Sequence, residues 1–263
     1  MQEKKKFRLV SSKKTRYLLP NILTLAGVCL GISSIKFSID GNFTLAVNLI
    51  LFAAILDALD GRVARLIKGT SDFGKELDSL TDFVSFGIAP VFILYFWELK
   101  SYGKLGWAIT LIYSVCCVLR LARFNLTKIG DAEGWKNNFF EGVPSPAGGL
   151  LILMPLIYEL TELNIGLDVK KLTPYFTILI AVLLVSKIPT LALKKISISP
   201  KATVFLLLGI GLVFIALLFY TLEALLVFGT AYLVSIPISV IIYSNQNKKN
   251  TEKISEDNDE DIL

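Results

Sequence analysis

Four aspartates lie inside segments otherwise apolar enough to sit in a lipid bilayer, and that conflict limits what this chain can become. Residues 57–82 read DALDGRVARLIKGTSDFGKELDSLTD. Asp57 and Asp60 are three apart and Asp78 and Asp82 four apart, so each pair shares one helical face. A carboxylate at the centre of a spanning helix costs about 2.5–3.5 kcal/mol on insertion scales. Four together require positive charge among them or a nearby wet surface. The pattern predicts a metal site, with the metal at the centre of an active site.

A turn centred near Gly69 would place Asp60 nine residues before it and Asp78 nine after, with Asp57 twelve before and Asp82 thirteen after. At ~1.5 Å rise per residue the two pairs then meet at matched depths of an antiparallel hairpin, about 13–20 Å from the turn. Oxygen ligation without His or Cys selects a hard cation, Mg²⁺ or Mn²⁺, with Ca²⁺ able to occupy the site. Two ions suit four carboxylates better than one, and paired metals commonly stabilise the attacking and leaving oxygens of phosphoryl displacement. Gly61, Ala64 and Gly74 remove bulk from the aspartate stripe and leave room for a flat group or a phosphate. Close helix packing in a membrane accounts for small residues as well. Arg65 follows Gly61 by four and can hold a phosphate or anchor the helix end.

With 54% hydrophobic residues and a mean hydropathy of +0.63, the 263-residue chain is too apolar for a soluble domain. The expectation is an all-α, polytopic membrane helix bundle of about eight transmembrane helices. The segments run over 20–39, 45–66, 73–99, 105–125, 147–158, 174–193, 202–220 and 222–243; each is near the roughly 20 residues a bilayer requires except the short fifth. Lys and Arg gather in the N-terminal arm, around residues 62–75 and 120–136, and near Lys194, Lys195 and Lys201. The opposite side holds only Lys100, Lys104, Lys170 and Lys171. This asymmetry predicts a multi-pass cell-membrane protein with both termini, and the carboxylates, at the cytoplasmic face. A basic amphipathic arm is expected over 1–17, a membrane domain over 18–245 and a disordered acidic tail over 246–263. No cleavable signal is expected, since no short apolar region with a small-residue cleavage site follows the basic start.

The chain has no histidine, which excludes His bases, HExxH zinc sites and Ser-His-Asp triads. Cys29, Cys116 and Cys117 sit in apolar runs without ligand spacing and read as buried small hydrophobes. A membrane partner is expected, and nucleic acid is not. A cation transporter would also use intramembrane carboxylates, but it leaves the glycine, alanine and arginine spacing unexplained.

That spacing carries a resemblance. Asp57-x2-Asp60-Gly61-x2-Ala64-Arg65-x8-Gly74-x3-Asp78-x3-Asp82 matches every fixed position of the CDP-alcohol phosphotransferase signature. Pro20, Asn21, Ile22, Leu23 and Thr24 resemble the family's first-span PNxxT motif, although some relatives carry an Arg where this chain has Gly27. Arg120-x2-Arg123-Phe124-Asn125 and the stretch GVPSPAGG at 142–149 look like the phosphatidylserine synthase branch.

The resemblance implies that the hydroxyl of L-serine displaces CMP from a CDP-lipid, CDP-diacylglycerol or CDP-archaeol. It implies that Asp57 and Asp78 bridge two ions, that Asp60 ligates the first and Asp82 the second, and that Asp82 is also the general base. Gly61, Arg65, Ser71 and the 20–24 stretch would contact the CDP-lipid, with Ala64 and Gly74 giving it room. A homodimer is implied as well. For the acceptor, Arg120 and Arg123 could clamp the serine carboxylate bidentately, Asn125 could hydrogen-bond the amino acid, and Lys187 could reach a phosphate. Glycerol 3-phosphate and inositol phosphate are the alternative acceptors.

Overall fold

In the computed structural model, residues 12–67, 69, 71–126, 139–161, 166, 168–191 and 200–260 are described. They form two compact units, Met1–Leu121 and Ala122–Leu263. Among the described residues the architecture is helical, apart from one short antiparallel ladder. Five helical segments among these residues are long and apolar enough to cross a membrane: Leu18–Ile39, Phe43–Leu66, Asp72–Trp97, Lys104–Leu126 and Thr221–Gln246. Their outward residues are large and apolar (Ile22, Ile32, Phe52 and Leu111 are about half exposed), as lipid-facing surfaces are.

In the first unit, α1 (Ser12–Ile39) packs along α2 (Phe43–Leu66). The turn between them is tight because Asn42 caps α2, its side chain accepting from the Leu45 N–H. At the far end the Gly69 N–H reaches back to the Ala64 carbonyl at 2.8 Å and closes the helix. Ser71 then caps α3 (Asp72–Asp82), with its Oγ accepting from the Gly74 N–H at 3.0 Å. The chain continues without a break through a π-helical segment, Phe83–Ile88, into α4 (Ala89–Trp97). A 3₁₀ turn, Leu99–Tyr102, leads to α5 (Lys104–Leu126), which crosses the boundary between the units. The expected hairpin turn near Gly69 therefore stands, with the aspartates on its two arms.

The close approach of α1 to the π segment is made by small residues. A Cβ on Gly31 would lie 2.9 Å from Ser85 Oγ and 3.0 Å from Ser85 Cα. Ser85 Oγ in turn donates to the Gly27 carbonyl at 3.2 Å.

The second unit contains β1 (Phe139–Glu141), α6 (Ser145–Ile152), α7 (Met154–Leu160), α8 (Val169–Val185), β2 (Pro189–Leu191), α9 (Pro200–Phe219) and α10 (Thr221–Glu260). The ladder pairs Phe139 with Leu191, Phe140 with Thr190 and Glu141 with Pro189. The expected fifth span is two helices of eight and seven residues. Pro155 supplies no N–H to the preceding turn, and the chain tightens there through Leu153 N–H to the Leu150 carbonyl. The expected sixth span is α8, which ends at Val185 rather than 193, because Pro189 has no N–H to give the Val185 carbonyl four residues before it. At 17 residues it is about 26 Å long, just under the bilayer core. Lys187 consequently lies after the helix, exposed, not inside a span.

Two boundaries also differ. α1 begins at Ser12, so the expected N-terminal arm runs into the first span without an element break; residues 1–11 lie outside the described part. The expected disordered tail is helical from residue 246 to Glu260, as the continuation of α10. Residues 246–260 hold no Gly or Pro, and Glu, Lys and Gln extend a helix readily. Residues 127–138 of the long polar loop lie outside the described part.

Gly31→Val places two methyl groups where Ser85 already is. It is expected to destabilise the detergent-solubilised protein by about 1–3 kcal/mol, read as a lowered unfolding midpoint, whereas Gly61→Ala, which meets nothing within 4 Å, is expected to leave the midpoint unchanged.

Candidate active site

The α2–α3 hairpin brings the carboxylates together. One oxygen from each of Asp57, Asp60 and Asp78 lies within 4.8 Å of the others. Asp57 is also within hydrogen-bonding reach of both Asp78 and Asp82. Asp60 is the most enclosed of the three, 4% exposed. Asp82 closes the deep end; its Oδ1 is buried and has no hydrogen-bond partner among the described residues. Like charges at this spacing repel strongly. A hard divalent cation is the group that all these oxygens can share, and the donor set fits it.

Thr24 is placed by α1 to act on this cluster. Its Oγ1 lies 2.6 Å from Asp60 Oδ2 and 3.0 Å from the Pro20 carbonyl of its own helix. A hydroxyl has one proton, and the shorter, charged acceptor takes the stronger bond. Thr24 thus orients a carboxylate, a role the first-span motif did not disclose. Leu23, Thr24 and Gly27 of α1 line a hollow together with Ala53, Asp57 and Asp60 of α2 and with Thr81, Ser85 and Phe86. Ile22 faces outward, 51% exposed, and Pro20 is buried. Asn21 reaches the start of α3: a Cβ on Gly74 would come within 3.4 Å of Asn21 Oδ1 and 3.1 Å of Ser71 Oγ. So Asn21, Ser71 and Gly74 meet at one corner of the site. Gly61 opens onto free space, Arg65 is exposed, and Ala64 is half-buried between them.

The acceptor residues are not gathered as expected. Arg120 is buried in α5, and its charge acts on Asp57 and Asp82. Arg123 instead donates from Nη1 to the Val185 carbonyl at 2.8 Å and from Nη2 to the Ser186 carbonyl at 3.1 Å. It caps the end of α8, where unsatisfied carbonyls and the helix dipole favour a cation. Asn125 is exposed. The GVPSP stretch also packs on that helix end: Gly142 has φ 72°, and its N–H bonds the Ile188 carbonyl at 2.9 Å. A Cβ there would sit 2.7 Å from the Ser186 carbonyl oxygen, so only glycine fits.

Sequence reasoning missed Thr81, Ser85 and Phe86 as lining residues. The helical period could have found Thr81 and Ser85, which follow Asp78 by three and seven.

A membrane helix bundle that gathers aspartates at a hairpin narrows the class to membrane proteins with a polar, acidic site inside their apolar helices. The CDP-alcohol phosphatidyltransferase family profile matches residues 17–241. A CDP-diacylglycerol–serine O-phosphatidyltransferase from Helicobacter pylori strain J99 is 37% identical over 238 residues, 88% of this chain and 97% of the relative. One of the same name from Mycobacterium leprae is 39% identical over 187 residues, 70% of this chain and 61% of the relative. An archaetidylserine synthase from Methanothermobacter thermautotrophicus is 37% identical over 137 residues, 51% of this chain and 55% of that protein. The chain belongs to the CDP-alcohol phosphatidyltransferase family.

Thr24→Val keeps the shape of the side chain and removes its donor to Asp60. Mn²⁺ binding, followed by the paramagnetic signal of the free ion, is expected to weaken by about tenfold or more, the usual effect of losing a group that orients a metal ligand.

Proposed function

We propose that this chain transfers the phosphatidyl group of a CDP-lipid to the hydroxyl of L-serine, releasing CMP. The observation that carries it is the carboxylate cluster: Asp57, Asp60 and Asp78 with oxygens within 4.8 Å of one another, and Asp82 beside them. Relatives named for serine transfer, one matched over 97% of its length, support serine as the acceptor. In the reaction the serine oxygen forms a bond to the phosphorus that bears the lipid as the bond from that phosphorus to CMP breaks. The serine proton passes to Asp82, whose buried Oδ1 accepts no hydrogen bond among the described residues. A loose phosphoryl-transfer transition state asks little push from the base, so a carboxylate suffices.

Asp57, Asp60, Asp78 and Asp82 would hold two divalent ions, Mg²⁺ or Mn²⁺, with Ca²⁺ able to compete. Bound there, the ions would neutralise charge on the diphosphate and on the departing CMP. Asn21, Leu23, Thr24, Gly61, Ala64, Arg65, Ser71 and Gly74 would form the nucleotide and phosphate side. The open space beside Gly61 supports this, and Arg65 four residues on is exposed to reach into it. Ile22, facing outward, would meet lipid rather than nucleotide.

Of the two arginines, Arg120 is the one we assign to the serine carboxylate, since its charge is felt at Asp82, where the serine hydroxyl must arrive. Arg123 positions α8. Eight spans, cytoplasmic termini, a cytoplasmic active site and a homodimer belong to the same proposal. The Lys and Arg asymmetry supports the orientation.

Purified protein given CDP-diacylglycerol and Mn²⁺ is expected to release CMP with L-serine and not with glycerol 3-phosphate or inositol phosphate. CMP with none of the three would refute transfer, and CMP with glycerol 3-phosphate alone would replace serine. Asp82→Asn is expected to abolish turnover while CDP-lipid still binds. Separately, Arg120→Lys is expected to raise KM for serine about tenfold through loss of the planar fork, whereas Arg123→Ala lowers the unfolding midpoint and leaves that KM unchanged.

A further inference from the structure

The π-helical segment that follows Asp82 leaves backbone carbonyls without helical partners, and α5 supplies a donor to the one at Phe86. The last π bond runs from the Ala89 N–H to the Val84 carbonyl. Ile88 caps α4, so its carbonyl takes the first α bond. Between these, the carbonyls of Ser85, Phe86 and Gly87 face only the nitrogens of Pro90 and Val91, and proline has no N–H. At most one of the three carbonyls is satisfied within the helix. A buried unpaired carbonyl in an apolar medium is strongly unfavourable. Tyr113 Oη donates to the Phe86 carbonyl at 3.0 Å. Ser114 Oγ lies 3.3 Å from the Gly87 carbonyl but 3.0 Å from the Thr110 carbonyl of its own helix, which takes the stronger share of its one proton. Tyr113 is fully buried, and Phe86 is 1% exposed.

The contact is built for close approach. A Cβ on Gly87 would lie 3.0 Å from Cys117 Sγ, so α5 can come this near only because residue 87 has no side chain. On the opposite flank, Ser85 Oγ bonds the Gly27 carbonyl of α1. The π turn is therefore held from both sides, immediately after the residue that completes the carboxylate cluster.

We propose that Tyr113 is a positioning residue: by donating to the Phe86 carbonyl it holds the π turn that sets the direction of Asp82 toward Asp57 and Asp78. This rests on the transfer reaction proposed above. Tyr113 acts through the backbone, by its bond to the Phe86 carbonyl.

The test compares wild type, Tyr113→Phe, Pro90→Ala and the double variant, by CMP release with serine and by Mn²⁺ binding followed through the signal of the free ion. Tyr113→Phe is expected to lower kcat about tenfold or more and to weaken Mn²⁺ binding about tenfold, with KM for the CDP-lipid unchanged. Pro90→Ala returns a backbone N–H to the turn, so the double variant is expected to recover most of both losses. Wild-type kcat and Mn²⁺ binding in Tyr113→Phe would overturn the proposal, and so would losses that Pro90→Ala does not recover. If Tyr113→Phe does not yield folded protein, the double variant carries the test: kcat and Mn²⁺ binding close to those of Pro90→Ala are expected, and losses of about tenfold relative to Pro90→Ala would overturn the proposal. A wild-type chain that releases no CMP overturns the transfer reading instead, and Mn²⁺ binding to Tyr113→Phe still decides the positioning role.

Discussion

Mutual repulsion among Asp57, Asp60, Asp78 and Asp82 is the constraint to which the first unit is fitted. Removing one carboxylate from water already costs free energy, and crowding further charges beside it adds to that cost. The surrounding groups address this in different ways. Thr24 gives its proton to Asp60, Arg120 places a positive charge near Asp57 and Asp82, and the remaining oxygens are left converging on a shared space. That arrangement is unfavourable as an empty protein interior, and a divalent cation bound there would relieve the repulsion, so the geometry that limits stability would also supply affinity.

The helices near the cluster are kept close by residues chosen for small size. Gly31 lets α1 lie against Ser85, Gly87 lets α5 lie against the π turn, and Gly74 leaves space for Asn21 and Ser71. In lipid there is little hydrophobic drive for apolar helices to associate, so packing contacts and interhelical hydrogen bonds carry the association. The Ser85–Gly27 and Tyr113–Phe86 bonds are of this kind. They join the helices at the depth where the carboxylates need fixed directions.

Much of this was legible in the sequence, for physical reasons that differ by element. The hairpin was readable because a three-and-four spacing of charge inside apolar runs has few interpretations, and five spans were readable from length and hydropathy. The segments from Ala147 to Leu193 were read less well. There, local backbone chemistry outweighs hydropathy: Pro155 divides one apolar run into two short helices, and Pro189 ends another early. Arg123 was misread for a related reason. Its side chain serves the carbonyls of Val185 and Ser186, far away in sequence, and nothing local to Arg123 signals that helix end. Thr24 could be identified as part of a motif, but not as the partner of Asp60, because that pairing depends on how α1 and α2 are set in depth.

The π segment explains why a carboxylate cluster and an apolar core can share one continuous helix. Each residue of an α-helix turns by about 100°, so Asp78, Asp82 and Phe86 would follow one another along a nearly continuous stripe if the helix were regular. One extra residue in the turn after Asp82 swings the downstream stripe by about the same 100°. Charge therefore stops at Asp82. Beyond it Ser85 faces α1 and the Phe86 and Gly87 carbonyls face α5, while Val91, Ile93 and Leu94 enter a fully buried apolar core. A wider turn weakens the local ladder, and Pro90 weakens it again by withholding a donor. The Tyr113 hydroxyl from α5 offsets part of this loss where the helix passes from polar chemistry to apolar packing. Positioning of Asp82 and burial of the core thus depend on the same few backbone carbonyls.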